Sequence, residues 1–425
     1  MNIVHAGLLE EYHKAKLEYI NAIVCLATYD DRAGQIARNE LNEAGWNIKP
    51  YKIFKNGADA KFFLVENDEF ESEHDLYILA ITGTESLKDI AIDLNIHKVY
   101  FGGNSPTEFI ENAKKQNLTS EDPMVHSGFN KYTQTALFTK EDDGKTYGEY
   151  IANLLKEDSK RKLYLVGHSL GGAVATIGAT RLVSLGVDPQ QLEVITFGAP
   201  AVGNQAFAEQ YGSKIHLNRV VMKNDPVKST LQAISGGYAQ FGNIEVWEKK
   251  RNIDKQSHAI TVYLDSAIRN FYDVNKEAIV AGVVKEKQSI GTSKVYIAPI
   301  VSNLDEELAE DRFYMEENLK SVLRDSFHGF VIAEGKRGGL QEELAKAKQA
   351  GCKWLLLPGI SASKLQDKHN QFYVSYHEDI YSVDNGMLMG SYANANSSKD
   401  FTPIEASLHN IATVRQQQKI SIGSL

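Results

Sequence analysis

The alternation of apolar and polar residues predicts that the chain begins with two helices followed by a β-hairpin. Apolar residues recur at helical spacing between residues 8 and 46, and the pattern is interrupted near Asp30. An aspartate at this point is a suitable N-cap for the second helix. Apolar runs at 61–66 and 76–82, separated by a polar turn, then indicate two paired strands.

Further along the chain, short strands rich in β-branched residues alternate with helices. Residues 163–166 and 192–197 read as buried strands, a long apolar helix covers 173–185, and a third strand covers 219–222. This alternation is typical of a mostly parallel sheet with helices on both faces. The predicted fold class is therefore α/β.

The pattern changes after residue 284 and predicts a second, smaller domain. Residues 285–293 are polar with glycine and serine, as in linkers, so the boundaries fall at 1–284, 285–293 and 294–425. In the last part, strands and helices alternate again, and Asp384-Asn-Gly386 predicts a tight hairpin. We expect a small α+β three-layer domain there.

Composition and charge exclude several classes of protein. The net charge of −9 disfavours a nucleic-acid partner, because phosphate binding requires a basic face. The longest apolar runs are far shorter than the roughly 20 residues that cross a bilayer. Cys25 and Cys352 lie far apart and form neither a disulfide framework nor a metal site. The first residues lack the apolar core of a signal peptide, so the chain is either an intracellular protein or a mature form.

The strongest chemical signal is Gly167-His-Ser-Leu-Gly-Gly172, which fits the G-x-S-x-G pattern. An apolar strand precedes it and an apolar helix follows it, as a nucleophile elbow requires. The glycines allow a sharp turn, and the helix N-terminus favours negative charge on the serine oxygen. A phosphate-binding loop would be expected to have a lysine after the glycines, where this chain has Ala173. Ser169 is therefore the predicted nucleophile.

A nucleophilic serine needs a base, and the base needs an acid that orients it. In this fold class they follow the serine in the order acid, then histidine. His258 lies in a loop and is preferred as the base to His216, which begins a strand at the opposite end of the sheet. Asp225 directly follows a strand, at the edge where α/β sheets place their chemistry. Its rival Asp254 lies among basic residues and reads as solvated, and Asp225 itself also suits an ordinary turn.

A tetrahedral intermediate formed at a nucleophilic serine also needs backbone donors for its oxyanion. The amide of Leu170, directly after the nucleophile, is the first predicted donor. The turn at Gly83-Thr84 ends an earlier strand, and the Thr84 amide is the second predicted donor. The other interpretation of Gly83-Thr84 is a simple turn.

Residues 75–264 resemble the class 3 (fungal-type) lipases, a branch of the α/β-hydrolases. The matching stretches, in the family's order, are Ala80-Ile-Thr-Gly-Thr84 with Asp93-Leu94, Val125-His-Ser-Gly-Phe129, the elbow, Thr196-Phe-Gly-Ala-Pro-Ala-Val-Gly-Asn204, Asn224-Asp-Pro226 and Ser257-His258. The resemblance implies a triad of Ser169, Asp225 and His258, with Thr84 and Leu170 as the oxyanion hole. It implies neither a metal nor an organic cofactor.

Two departures from the family pattern and one inserted segment qualify this resemblance. The usual arginine before the Gly-Thr turn is Thr82 here, and Asp225-Pro-Val-Lys228 replaces Asp-x-Val-Pro. Residues 95–122 occupy the position of a lid in these enzymes and mix apolar with polar residues. The segment is either an amphipathic flap that contacts membranes or lipid surfaces transiently, or an ordinary surface insertion.

Residues 294–425 resemble, more weakly, a small domain of unknown function in bacterial envelope lipoproteins. The resemblance rests on the order of strands and helices and on the stretch 344–357. It implies a bacterial source, an envelope or secreted location in preference to the cytoplasm, and an envelope partner for this domain.

Taken together, these patterns predict a serine carboxylic-ester hydrolase, a lipase or phospholipase acting on lipid esters through an acyl-enzyme. A thioesterase or acyltransferase on the same scaffold is the enzymatic alternative, because the fold does not fix the substrate. A non-catalytic envelope binding module is the alternative from another class.

Overall fold

The computed structural model describes most of the chain and divides it into two compact units. The described residues are 3–55, 58–67, 76–83, 97–140, 144–227, 237–250, 253–290, 295–366 and 368–422. The α/β unit comprises residues 20–249 and 256–263, and the C-terminal unit comprises 1–19, 250–255 and 264–425. Helices α1 (Ile3–Ala27) and α8 (Ile260–Val280) contribute residues to both units. The predicted linker at 285–293 falls within the C-terminal unit, and the domain boundaries remain a prediction.

The two predicted N-terminal helices are present. Helix α1 ends just before the predicted break, and α2 (Arg32–Glu43) begins after it. Asp31 caps α2, because its side chain accepts a hydrogen bond from the Gly34 amide. The strands that follow in the α/β unit are β1 (Asn47–Lys55), β2 (Ala58–Asn67), β3 (Leu76–Ile81), β4 (Lys98–Tyr100), β5 (Met124–His126), β6 (Lys162–His168), β7 (Leu192–Phe197), β8 (His216–Met222) and β9 (Asn243–Trp247).

The central sheet has the strand order β1-β2-β3-β6-β7-β8-β9. β1, β2 and β3 pair antiparallel, which confirms the predicted hairpin, and every pair from β3 to β9 is parallel. The helices of this unit between the strands are α3 (Pro106–Asn112), α4 (Ser127–Phe138), α5 (Tyr147–Glu157), α6 (Leu170–Ser184) and α7 (Gln205–Tyr211). The predicted α/β-hydrolase fold with a mostly parallel sheet is confirmed.

Helix α6 lies in the core of the α/β unit, and this burial fixes the turn in front of it. Its residues from Gly171 to Leu182 are all buried, and most of them are small or apolar, as expected for a helix surrounded by the core. Since β6 is a central strand, the junction between β6 and α6 is held by neighbouring strands on both sides. The turn that carries Ser169 is therefore rigidly placed.

The C-terminal unit contains a mixed sheet with the order β12-β10-β13-β14-β15, and β11 pairs with β13. Its strands are β10 (Val295–Ile297), β11 (Val301–Leu304), β12 (Phe330–Ile332), β13 (Trp354–Lys364), β14 (Phe372–Ser382) and β15 (Leu388–Ser397). Its helices are α9 (Arg312–Ser326), α10 (Leu340–Gln349) and α11 (Pro403–Ile422). β14 and β15 pair antiparallel on either side of Asp384-Asn-Gly386, as predicted. Of the helices that the structure describes, none is long and apolar enough to cross a membrane.

Candidate active site

Ser169 occupies a sharp turn between β6 and α6, with φ of 57° and ψ of −127°. A positive φ is unfavourable for a residue with a side chain and typically costs about 1–3 kcal/mol, so the surrounding packing must hold it in place. That packing is visible at Gly171, where an added Cβ would lie 2.2 Å from the carbonyl oxygen of Ile81. The strand-turn-helix geometry predicted from the glycine pattern is therefore present.

The surroundings of Ser169 favour negative charge on its oxygen. The Ser169 side chain is fully buried, and its amide donates a 2.9 Å hydrogen bond to the carbonyl of Phe197. Leu170 is the first residue of α6, so its N–H is one of the helix-terminal donors without a partner inside the helix. The predicted oxyanion donor Leu170 thus lies at the positive end of a buried helix.

Asp225 follows β8 and is held by three hydrogen bonds. Its Oδ1 accepts from the amide of Val227 at 2.8 Å, and its Oδ2 accepts from the hydroxyl of Tyr263 at 2.6 Å. Nδ1 of His258 lies 2.8 Å from Oδ2 and 2.9 Å from Oδ1. Burial by itself raises the pKa of Asp225, but the bonds from His258, Tyr263 and Val227 outweigh it and lower the pKa below its ordinary value.

His258 lies in the loop before α8 and is almost fully buried. A carboxylate only accepts hydrogen bonds, so Nδ1 of His258 carries the proton that Asp225 receives. A general base needs its other ring nitrogen free, and Nε2 is the atom that would act as the base. In the part of the chain that the structure describes, this Nε2 has no hydrogen-bond partner.

Ser169 and His258 are not joined by a hydrogen bond. The Oγ of Ser169 and the Nε2 of His258 are both buried, and neither has a partner among the described residues. Catalytic hydrogen bonds are often long or poorly aligned before substrate binds, so this arrangement is compatible with a triad. The structure brings Asp225 and His258 together, and the contact to Ser169 remains a prediction.

The rival residues lie elsewhere on the surface. His216 begins β8, is exposed, and has Nδ1 3.1 Å from Oε1 of Glu193. Asp254 is exposed as well. Neither has the burial and the fixed partners of Asp225 and His258, which favours the predicted assignment.

The second predicted oxyanion donor, Thr84, lies outside the described residues, as does Lys228 of the altered Asp225 motif. Its neighbour Gly83 is described, and a Cβ added there would lie 2.5 Å from the carbonyl oxygen of His168. The turn after β3 therefore passes directly beside the elbow. The role of Thr84 remains a prediction.

Four residues of this site were not predicted from the sequence: Tyr29, His168, Gly198 and Tyr263. Tyr263 accepts a 3.0 Å hydrogen bond from the Met222 amide while it donates to Asp225, so it fixes the acid to the end of β8. Gly198 has φ of 61°, and a Cβ there would lie 2.6 Å from Oδ2 of Asp225 and 3.1 Å from Nδ1 of His258. Gly198 belongs to the stretch 196–204 that resembles the lipase family, and this stretch is the sequence feature that could have indicated its role.

His168 forms a buried bridge between Tyr29 and the loop of the base. Its Nε2 lies 2.6 Å from the carbonyl oxygen of His258, and its Nδ1 lies 2.7 Å from the hydroxyl of Tyr29. A carbonyl only accepts, so Nε2 donates and Nδ1 of the neutral ring accepts from Tyr29. Burial, together with the nearby His258, lowers the pKa of His168 to about 3 and keeps this tautomer neutral.

These features define the class of protein. A strained serine lies between a central strand of a mostly parallel sheet and a buried helix. A buried aspartate–histidine pair lies at the same sheet. This combination is typical of an α/β-hydrolase site. Within the described residues, no group of three or more His, Cys, Asp and Glu side chains is arranged to hold a metal ion. A serine, a histidine and an aspartate are the residue types that nucleophilic catalysis by serine uses.

Comparison with known families adds a particular branch of this class. Residues 78–233 match the family model of Lipase (class 3), which confirms the predicted resemblance for little more than a third of the chain. Over 120 residues the chain is 31% identical to Phospholipase A1-II 1 of Oryza sativa subsp. indica, covering 25% of this chain and 29% of that protein. Over 173 residues it is 30% identical to Secreted mono- and diacylglycerol lipase 2 of Gibberella zeae, covering 35% of this chain and 38% of that protein.

The matched region leaves most of each relative uncovered, since the chain spans well under half the length of both curated proteins. Among solved structures, the lipase from Rhizopus microsporus var. chinensis aligns with 58% of this chain and 77% of its own, at 22% identity and a TM-score of 0.39. That TM-score is too low to carry over fold or function. The family match covers the elbow, its neighbouring strands and Asp225, whereas His258 and Tyr263 lie outside it.

Proposed function

We propose that the protein is a serine carboxylic-ester hydrolase that cleaves acyl esters of lipids. The observation that carries this proposal is the buried Asp225–His258 pair beside a serine held at positive φ. The class 3 lipase match over residues 78–233, and relatives named as a phospholipase and an acylglycerol lipase, support lipids as the substrate class.

In the proposed reaction, Nε2 of His258 removes the proton from Oγ of Ser169 as the oxygen attacks the ester carbonyl carbon. The amides of Leu170 and Thr84 hold the resulting oxyanion. His258 then gives its proton to the departing alcohol oxygen, which leaves an acyl group on Ser169. A water molecule, deprotonated by His258, attacks the acyl carbon; the bond from this carbon to Oγ breaks, His258 returns the proton to Oγ of Ser169, and the fatty acid leaves. Asp225 keeps the imidazole oriented and stabilises its positive charge during each transfer.

The burial of Ser169 has a consequence for substrate entry. Its exposed fraction is 0%, so a substrate carbonyl reaches Oγ only after the surroundings rearrange. We propose that a lipid surface promotes this rearrangement. The assignment of residues 95–122 as a lid is part of this proposal.

We also propose a secreted or envelope location, which is supported by the name of the secreted acylglycerol lipase relative. An envelope partner for residues 294–425 stays a prediction.

The test is Ser169→Ala in the full chain, assayed on p-nitrophenyl esters and on mixed phospholipid and acylglycerol substrates. Loss of a triad residue typically lowers turnover by roughly 10⁴- to 10⁶-fold while the fold persists. Labelling of wild-type Ser169 by a fluorophosphonate, absent in the variant, would support the proposal. Unchanged ester hydrolysis by the variant would mean another nucleophile, and preferential turnover of thioesters would favour the thioesterase alternative.

A further inference from the structure

A cavity of about 500 Å³ lies in the α/β unit along helices α3 and α4. This volume falls within the usual range of pockets for small organic ligands. Ser169, Asp225 and His258 are not among its described lining residues. The cavity is therefore separate from the site of the proposed reaction.

One part of the cavity wall is apolar. The aliphatic and aromatic residues that line it are Val99, Pro106, Ile110, Ala113 and Phe138. Ile110 is 45% exposed although it stands on a helix whose other large apolar residue, Phe109, is fully buried. A ligand with a hydrocarbon chain would remove this apolar surface from water, which is favourable roughly in proportion to the area covered.

The other part of the wall is polar, and all of its charged residues that the structure describes are cationic. Lys114, Lys131 and Lys140 line the cavity, whereas no aspartate or glutamate is among its described lining residues. None of these three ammonium groups forms an ion pair with another described residue. Among the described lining residues, an anionic group at this wall would therefore meet positive charge and no carboxylate.

A fourth cation lies behind the wall. The guanidinium of Arg181 is fully buried, 3.6 Å from the ring centre of Phe101 and 4.1 Å from that of Phe109. It donates to the carbonyl of Gly102 and, at 3.3 Å, to Oδ1 of the cavity residue Asn130. Burial lowers its pKa to about 9, so it is still charged at neutral pH. Its charge is poorly screened, because the surrounding medium is of low dielectric.

Gln134 supplies a hydrogen-bonding group on the same wall. Its Nε2 and Oε1 are both buried, and neither has a partner among the described residues. A buried amide without partners typically costs about 1–3 kcal/mol, which a bound acceptor would recover. The cavity thus combines an apolar wall, three lysines and an unsatisfied donor.

We propose that this cavity binds a long-chain carboxylate. An inorganic anion would leave the apolar wall uncovered, and a neutral lipid would leave the lysines without a counter-charge. A fatty acid satisfies both. That this ligand is the product released at Ser169 rests on the proposed function, whereas binding itself rests on the cavity alone.

The test is calorimetric titration of the full chain with dodecanoate below its micellar concentration, compared with dodecan-1-ol and with inorganic phosphate. We expect saturable dodecanoate binding that weakens as salt is raised, because exposed lysines are screened. The double variant Lys131→Gln/Lys140→Gln should bind at least about tenfold more weakly, whereas Lys160→Gln, an exposed lysine outside the cavity, should bind like wild type. Ala113→Trp, which fills the cavity, should bind more weakly as well.

Two results would overturn the proposal: equal dodecanoate affinity in wild type and the cavity variants, or binding of dodecan-1-ol as tight as that of dodecanoate. Phosphate binding as tight as dodecanoate binding would equally reject a role for the apolar wall. The titration measures no turnover, so its result is independent of the Ser169→Ala assay. Dodecanoate binding in a chain without esterase activity would reject the proposed function and retain the cavity site.

Discussion

The hydroxyl of Tyr29 lies 2.7 Å from Nδ1 of His168, although 139 positions separate the two residues in the chain. This hydrogen bond selects the tautomer in which Nε2 of His168 donates to the backbone carbonyl of His258. A residue in the turn between α1 and α2 therefore acts on the loop of the proposed base through one imidazole ring. Tyr29 and His168 are positioning residues in this interpretation.

Replacement of Tyr29 by phenylalanine should lower kcat more than it raises KM. The variant leaves Nδ1 of His168 buried without its donor, so the ring and the His258 loop are held less firmly; we expect a roughly tenfold loss of kcat. The measurement is steady-state hydrolysis of p-nitrophenyl butyrate. Tyr150→Phe, at a tyrosine that is 51% exposed, is the matched control and should retain wild-type kinetics. Equal kinetics in Tyr29→Phe and wild type would exclude the positioning role.

The lowered pKa of His168 predicts how stability depends on pH. Its folded pKa of about 3 lies below the ordinary value near 6.5, so between these values the unfolded chain binds the extra proton. The contribution to stability is complete above pH 6.5 and is lost as pH falls toward 3, by up to about 1.4 kcal/mol per pH unit. Urea unfolding from pH 7 to pH 4 measures this slope. His168→Gln should unfold with a shallower slope, and an identical slope would contradict the prediction.

Tyr263→Phe should destabilise the protein most above the pKa of Asp225. The Tyr263 hydroxyl lowers the pKa of Asp225, so its removal raises that pKa. A lowered pKa stabilises the folded protein above the pKa that Asp225 has in the unfolded chain. This stabilisation is lost as pH falls through the pKa of Asp225 in the folded protein. The Met222 amide also loses its acceptor, at any pH. We expect a loss of about 2–4 kcal/mol at pH 7 that becomes smaller in acid. A loss independent of pH would mean that Tyr263 does not act on Asp225.

Alanine substitutions at two glycines with positive φ, Gly198 and Gly45, distinguish the effect of backbone strain from the effect of a steric clash with the site. Gly198→Ala places a methyl group 2.6 Å from Oδ2 of Asp225, whereas at Gly45, with φ of 84°, the added methyl meets nothing within 4 Å. Both variants should lose about 1 kcal/mol of stability from strain. Only Gly198→Ala should lose activity, by 100-fold or more, because the aspartate–histidine pair must shift. Thermal unfolding and ester hydrolysis measured on both proteins decide this, and full activity in Gly198→Ala would refute it.

The sequence predicted the parts of the fold and site that depend on local signals. The glycines around Ser169 indicate a strained turn because few other residues fit there, and Asp384-Asn-Gly386 indicates a hairpin for the same reason. The preference for His258 over His216 stays a prediction, supported by the burial of His258 and by the exposed position of His216 at the start of a strand.

The residues that the sequence did not reveal act across long separations or against a local rule. Tyr29 stands at the break between two helices and Tyr263 in a helix, and only the folded chain brings their hydroxyls to His168 and Asp225. Strand β1 contains Pro50, which argues against a strand in general but is tolerated because β1 is the edge of its sheet.

Arg181 is buried against two phenylalanine rings and the side chain of Asn130. A single substitution at Asn130 would therefore change both the stability of the protein and the charge beside the cavity. An aspartate at position 130 would give the guanidinium of Arg181 a carboxylate neighbour and so join α4 more firmly to α6. The same carboxylate would cancel much of the attraction for fatty acids along α4. We therefore expect Asn130→Asp to raise the thermal stability of the protein and to weaken fatty-acid binding in the proposed cavity site.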